Sequence, residues 1–135
     1  MTVGVLIISH SSVGSALLRT AHDTLGLCPL HVEVLSVPLH SKVEDVDAMA
    51  EVMCMRLDTG DGVLVLTDLY GSTPSNIANR LQEMGEVGVV AGINLPMLLR
   101  VMNYIELPLG ALVDKAVSGG HDGIFLCPEE DHLGS

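Results

Sequence analysis

The sequence predicts an α/β fold, a doubly wound and mainly parallel sheet with helices on both faces. Three observations predict it. Short apolar runs alternate with helical patterns along the whole chain. Two of the runs, Val3-Gly4-Val5-Leu6-Ile7-Ile8 and Val63-Leu64-Val65-Leu66, have no polar alternation, which marks strands buried on both faces. The 135 residues suffice for one domain with a proper core.

The first strand is predicted over Val3–Ser9, followed by a helix over Val13–Leu25 with Ser11 or Ser12 as N-cap and Gly26 as its stop. The second strand is Val32–Val37. Ser41-Lys42-Val43-Glu44 has the form of a capping box, and Val43, Val46, Ala50, Met53, Cys54 and Leu57 then share one helical face. Thr59-Gly60-Asp61-Gly62 is a turn. The third strand, Val63–Leu66, is central and ends at Thr67-Asp68. Gly71-Ser72-Thr73-Pro74 puts proline in the first helical turn after a hydroxyl cap, a helix start. That helix runs to Met84 and stops at Gly85. The fourth strand is Gly88–Ile93. Pro96 opens a further helix, and Pro108 precedes another that ends at Gly119-Gly120. Ile124–Cys127 reads as a short fifth strand. With no repeat or linker in view, residues 1–128 form the domain and 129–135 a polar tail.

Composition narrows the partners. Six basic residues against 17 acidic give a formal net charge of −11, which disfavours nucleic acid and anionic membrane and suits a basic protein partner. With Tyr70, Tyr104 and Phe125 as its aromatic residues, the chain has little with which to stack on nucleobases. No apolar stretch approaches the ~20 residues of a membrane span. The N-terminal run lacks a basic flank and is not a signal peptide, so the expected location is cytoplasmic. Cys28, Cys54 and Cys127 are widely separated and match no zinc spacing, consistent with reduced thiols and with no metal or cofactor.

Right-handed crossovers make four segments leave one edge of the sheet: Ser9–Ser12, Pro38–Ser41, Asp68–Pro74 and Asn94–Pro96. Ligands of α/β folds bind at that edge. His10 and Asp68 end the first and third strands, which neighbour each other across the switch point of a doubly wound sheet. A carboxylate on one ring nitrogen fixes the tautomer and leaves the other nitrogen as nucleophile. Ser72 and Thr73, beside Gly71, offer backbone N–H groups and hydroxyls suited to phosphate oxygens. Each element also has a plain structural reading: a loop histidine, a turn aspartate, and hydroxyl N-caps before proline. His40 leaves the same edge and is the one rival to His10. Neither a Walker-type nor a dinucleotide-binding glycine motif occurs, so a phosphoryl group would have to arrive on a donor protein.

Three blocks of the chain, in order and spacing, resemble the IIA domain of the mannose-type (mannose/fructose/sorbose) sugar phosphotransferase system. They are the apolar strand ending in Ser9-His10, the run Thr67-Asp68-Leu69-Tyr70-Gly71-Ser72-Thr73-Pro74-Ser75-Asn76-Ile77-Ala78-Asn79-Arg80, and Val90-Ala91-Gly92-Ile93-Asn94-Leu95-Pro96-Met97-Leu98. The resemblance covers about residues 1–127. It implies that His10 accepts a phosphoryl group from HPr and passes it to a histidine of a IIB protein, with Asp68 orienting the ring. It also implies a homodimer in which the last strand, here Ile124–Cys127, is exchanged. Membrane association would come only through a transporter complex. The chain departs from the family at Gly71-Ser72-Thr73-Pro74, where Gly-Gly-Ser-Pro is common, and no IIB domain follows, so the acceptor is expected to be a separate protein.

Three other functions remain compatible with the residues. One is a phosphorylation-dependent regulatory module of an incomplete system without sugar transport. Another is the phosphoryl-donor subunit of a dihydroxyacetone kinase, against which Pro74-Ser75-Asn76 and Asn94-Leu95-Pro96-Met97 speak. The last is a small-ligand-binding domain without phosphotransfer.

Overall fold

A computed structural model describes residues 2–26 and 31–129. It contains β1 (Gly4–His10), α1 (Val13–Leu25), β2 (Val32–Val37), α2 (Val43–Leu57), β3 (Val63–Thr67), α3 (Thr73–Arg80), β4 (Val87–Ala91), α4 (Leu95–Asn103) and α5 (Leu109–Asp122). A 3-10 turn, Leu81–Met84, extends α3. Cys28 and residues 130–135 of the expected tail lie outside the described residues.

The four strands form one parallel sheet in the order β2-β1-β3-β4. β1 and β3 are central, and nearly every residue of both is buried. Their unbroken apolar runs follow from this position, because each face meets a helical layer. On one face Val5, Ile7, Leu64, Leu66 and Val90 pack against α1, α4 and α5. On the other, Leu6, Ile8, Leu35, Val37, Val63 and Val65 pack against α2 and α3. The chain adds β2 on one side of β1 and β3 on the other, which puts the switch point between β1 and β3.

The ends of β1 and β4 shift by one or two residues from the sequence expectation, Ser12 stands at the N-cap of α1 without a side-chain bond, and four larger details differ. The capping box at Ser41 does not form: Lys42 is the N-cap of α2, and the Ser41 hydroxyl donates to the Pro38 carbonyl instead. α3 tightens into the 3-10 turn after Arg80 rather than running helical to Met84. Gly119 and Gly120 do not end α5, which continues to Asp122. They serve packing: a Cβ on Gly119 would lie 2.8 Å from Arg100 Cβ, and one on Gly120 2.9 Å from Met97 Cε, so α4 and α5 approach closely here. Finally, Ile124–Cys127 is not a strand of this sheet. The Ile124 N–H is held by the His121 carbonyl at the tip of α5, so the segment leaves from the helix end without a strand to pair with. Ile124, Phe125 and Leu126 are left exposed.

Candidate functional site

β1 ends at His10, and the loop after β3 begins with Asp68, side by side at the switch point. The His10 ring donates or accepts through Nδ1 at 2.8 Å from Asp68 Oδ2. The His10 main-chain N–H donates to the same oxygen at 3.1 Å. Asp68 Oδ1 accepts from the Leu69 N–H at 3.1 Å. The carboxylate is thus fixed from three directions, and it is only 13% exposed. Burial pushes its pKa up, but the hydrogen bonds from the His10 ring and main chain outweigh burial, and the net position is below the ordinary carboxylate value. Asp68 is therefore ionised at neutral pH. An ionised acceptor at Nδ1 selects the tautomer with its proton on Nδ1 and leaves the Nε2 lone pair free. The His10 side chain is 42% exposed, enough for a partner to reach it.

The loop after Asp68 is held by its own hydroxyls. Ser72 is the N-cap of α3; its Oγ accepts from the Ser75 N–H at 3.4 Å and donates to the Leu69 carbonyl at 2.6 Å. The Gly71 N–H in turn donates to the buried Ser75 Oγ at 3.3 Å, and Gly71 has φ +84°, a conformation that favours glycine. The Ser72 proton is committed to Leu69, so donation to a phosphate requires that bond to open. Thr73 lies exposed at the first helical position, with Pro74 following. Asn94 closes the same edge: its Oδ1 caps α4 through the Met97 N–H at 2.9 Å, and its Nδ2 donates to the Gly120 carbonyl at 3.2 Å. His40 lies exposed in the β2–α2 turn, and among the described residues it has no carboxylate at ion-pair distance.

Two features of the site were not read from the sequence. Ser9, wholly buried beside His10, accepts the Gly14 N–H at 2.7 Å. A lone hydroxyl in an otherwise apolar strand was its only signal. The second is a set of exposed apolar side chains on the segments that frame His10: Val13 at the start of α1, Leu39 (87% exposed) after β2, and Leu69 and Tyr70 (79% exposed) after β3. Among the described residues no group of His, Cys, Asp and Glu could hold a metal ion, and no helix is long and apolar enough to cross a membrane.

Residues 4–117 match the family model of the PTS system fructose IIA component, EIIA-man. The chain is 31% identical over 127 residues to the PTS system mannose-specific EIIAB component of Escherichia coli; the match takes in 92% of this chain and 39% of that protein. Among solved structures, the mannose/sorbose-specific IIA subunit of Enterococcus faecalis superposes with a TM-score of 0.86 at 20% identity, covering 97% of this chain and 98% of that one. A PTS IIA protein associated with the fucose utilization operon of Streptococcus pneumoniae superposes with a TM-score of 0.80 at 25% identity, covering 91% of each chain. With its parallel sheet, its helices on both faces and a family match across most of its length, the chain belongs to the mannose-type IIA family of the sugar phosphotransferase system.

Proposed function

We propose that this chain is a phosphohistidine carrier that takes a phosphoryl group from phospho-HPr onto Nε2 of His10 and gives it to a histidine of a IIB protein. The observation that carries it is the 2.8 Å bond between His10 Nδ1 and Asp68 Oδ2 at the switch point. The Nε2 lone pair attacks the phosphorus of the donor phosphohistidine; the donor N–P bond breaks as the new one forms. The ring gains positive charge, which the Asp68 carboxylate offsets without becoming protonated itself. Transfer in the other direction, onto the acceptor, uses the same geometry. Thr73, and Ser72 once its bond to Leu69 opens, would donate to the phosphoryl oxygens.

The surroundings suit a protein partner rather than a small molecule. The apolar side chains of Val13, Leu39, Leu69 and Tyr70 would be covered by docking, which also shuts water out of the transfer. Arg56, Arg80 and Arg100 are each tied to a carboxylate, Glu33, Asp47 and Asp122, so the excess acidity of the surface is left to attract a basic partner. We assign the carrier to the cytoplasm and to a homodimer in which Ile124–Cys127 joins the sheet of a second copy. Incubation with Enzyme I, HPr and phosphoenolpyruvate, followed by intact mass, tests the proposal. One phosphoryl group per chain is expected, absent in His10→Ala. Full labelling of His10→Ala would move the acceptor elsewhere, to His40 first.

A further inference from the structure

Three main-chain amides hold the turn from β1 into α1, each donating to a different segment of the chain. The His10 N–H donates to Asp68 Oδ2 at 3.1 Å, the Ser11 N–H to the Val37 carbonyl at the end of β2 at 3.2 Å, and the Gly14 N–H to Ser9 Oγ at 2.7 Å. The last bond is unusual in its origin. Ser12 occupies the N-cap of α1, yet its side chain caps nothing. The cap acceptor for the first helical turn comes instead from within β1, from a hydroxyl that is completely buried. Gly14 makes this possible: a Cβ there would lie 2.7 Å from both Ile7 Cγ2 and Ser9 Oγ, so the helix start is seated directly on the strand.

The chain must therefore leave β1 at His10 and return to Ser9 by Gly14. Ser11 takes up the reversal at φ +44°, the one non-glycine residue with positive φ among the described residues. Such a conformation persists where the surroundings over-determine it. His10 lies inside this tied loop, and its main-chain N–H and ring Nδ1 both meet the same Asp68 oxygen. If the loop relaxes and the His10 peptide turns, both bonds lengthen together.

We propose that Ser9 is a positioning residue for His10: its buried hydroxyl caps α1 from the strand and so fixes the loop that aims the ring at Asp68. This rests on the phosphoacceptor role proposed above for His10. Ser9 points to the α1 side of the sheet and is completely buried, so it would act on His10 through the loop and not by touching a docked protein.

The test uses the full chain with Ser9→Ala, Ser9→Cys, which fills the site with a somewhat larger atom that accepts weakly, and Ser9→Thr, which is also larger but keeps the hydroxyl. Two readouts are taken: the nitrogen NMR shifts of the unphosphorylated His10 ring, which report its tautomer, and the steady-state kinetics of transfer from phospho-HPr. For Ser9→Ala and Ser9→Cys we expect a loss of the single Nδ1-protonated form and a fall of about tenfold in maximal rate, with the KM for phospho-HPr unchanged. Ser9→Thr should keep the wild-type ring signals and most of the rate. If Ser9→Ala does not fold, Ser9→Cys alone decides. Wild-type ring signals and rate in a folded Ser9→Cys, or equal impairment of Ser9→Thr and Ser9→Cys, would overturn the proposal. A wild-type protein that is never phosphorylated on His10 would instead sink the carrier role, while the ring signals still judge Ser9.

Discussion

A single carboxylate oxygen at Asp68 does two jobs, holding the His10 ring and the His10 main chain. Asp68→Asn should fold and yet transfer phosphate at least about 10- to 100-fold more slowly, the size of loss seen when the carboxylate behind a metal-bound imidazole is removed. The amide can donate to Nδ1 and so hold the wrong tautomer. Unchanged kinetics in the folded variant would reduce Asp68 to a turn residue. Acid stability gives an independent check. The folded pKa of Asp68 lies below its ordinary value near 3.8, so the folded state binds its proton less readily than the unfolded state does. Its contribution to stability is therefore fully present above about pH 4 and is lost as pH falls through the lower folded value. The gap in Tm between wild type and Asp68→Asn should narrow as pH falls below about 4; a gap that widens below that pH would contradict the depressed pKa. His10 and Asp68 were legible because each stands where an apolar strand stops. Ser9 was not, because a serine inside such a strand gives no hint of which amide it will meet across the layer.

The central strands were equally plain, since burial on both faces writes an unbroken apolar run. Boundaries were less so. Ser41 fits a capping box by spacing, but its hydroxyl reaches the nearer Pro38 carbonyl, and local side-chain bonds of that kind compete with caps. Gly119-Gly120 looked like a stop, whereas their missing side chains let α5 lie against Arg100 and Met97 of α4. Glycine has the same packing purpose at the start of β1. A Cβ on Gly4 would lie 2.6 Å from the Leu57 carbonyl oxygen and 2.8 Å from Leu57 Cβ, at the end of α2. Backbone cannot yield as a flexible side chain can. Gly4→Ala should cost about 1–3 kcal/mol, several degrees in Tm, by forcing α2 off the sheet. Because Gly4 and His10 lie at opposite ends of β1, transfer rates below the melting range should be unaffected. An unchanged Tm in a thermal melt would show that α2 shifts freely.

The chain as one body leaves two surfaces unfinished. One is the apolar frame of His10, which the proposed carrier role gives to donor and acceptor proteins in turn. The other is Ile124-Phe125-Leu126, exposed beyond α5 and unpaired in the single chain. A short strand is marginal on its own, and β4 is an edge of the sheet, so exchange between two copies would finish both edge and segment. Truncation after Gly123 should convert a dimer to a monomer in sedimentation. A full-length monomer at micromolar concentration, or a truncated chain that stays dimeric, would contradict exchange. The apolar segment was legible in the sequence, whereas its exchange into a second copy came only from the family resemblance, because a pairing across chains would leave no mark in one chain's pattern. The carrier role itself turns on one nitrogen. Phosphorus and nitrogen NMR of the protein after reaction with phospho-HPr identifies the atom that carries phosphate. A phosphoryl group on Nε2 of His10, with the proton retained on Nδ1, is the predicted result; phosphate on Nδ1, or on any other residue, would contradict it.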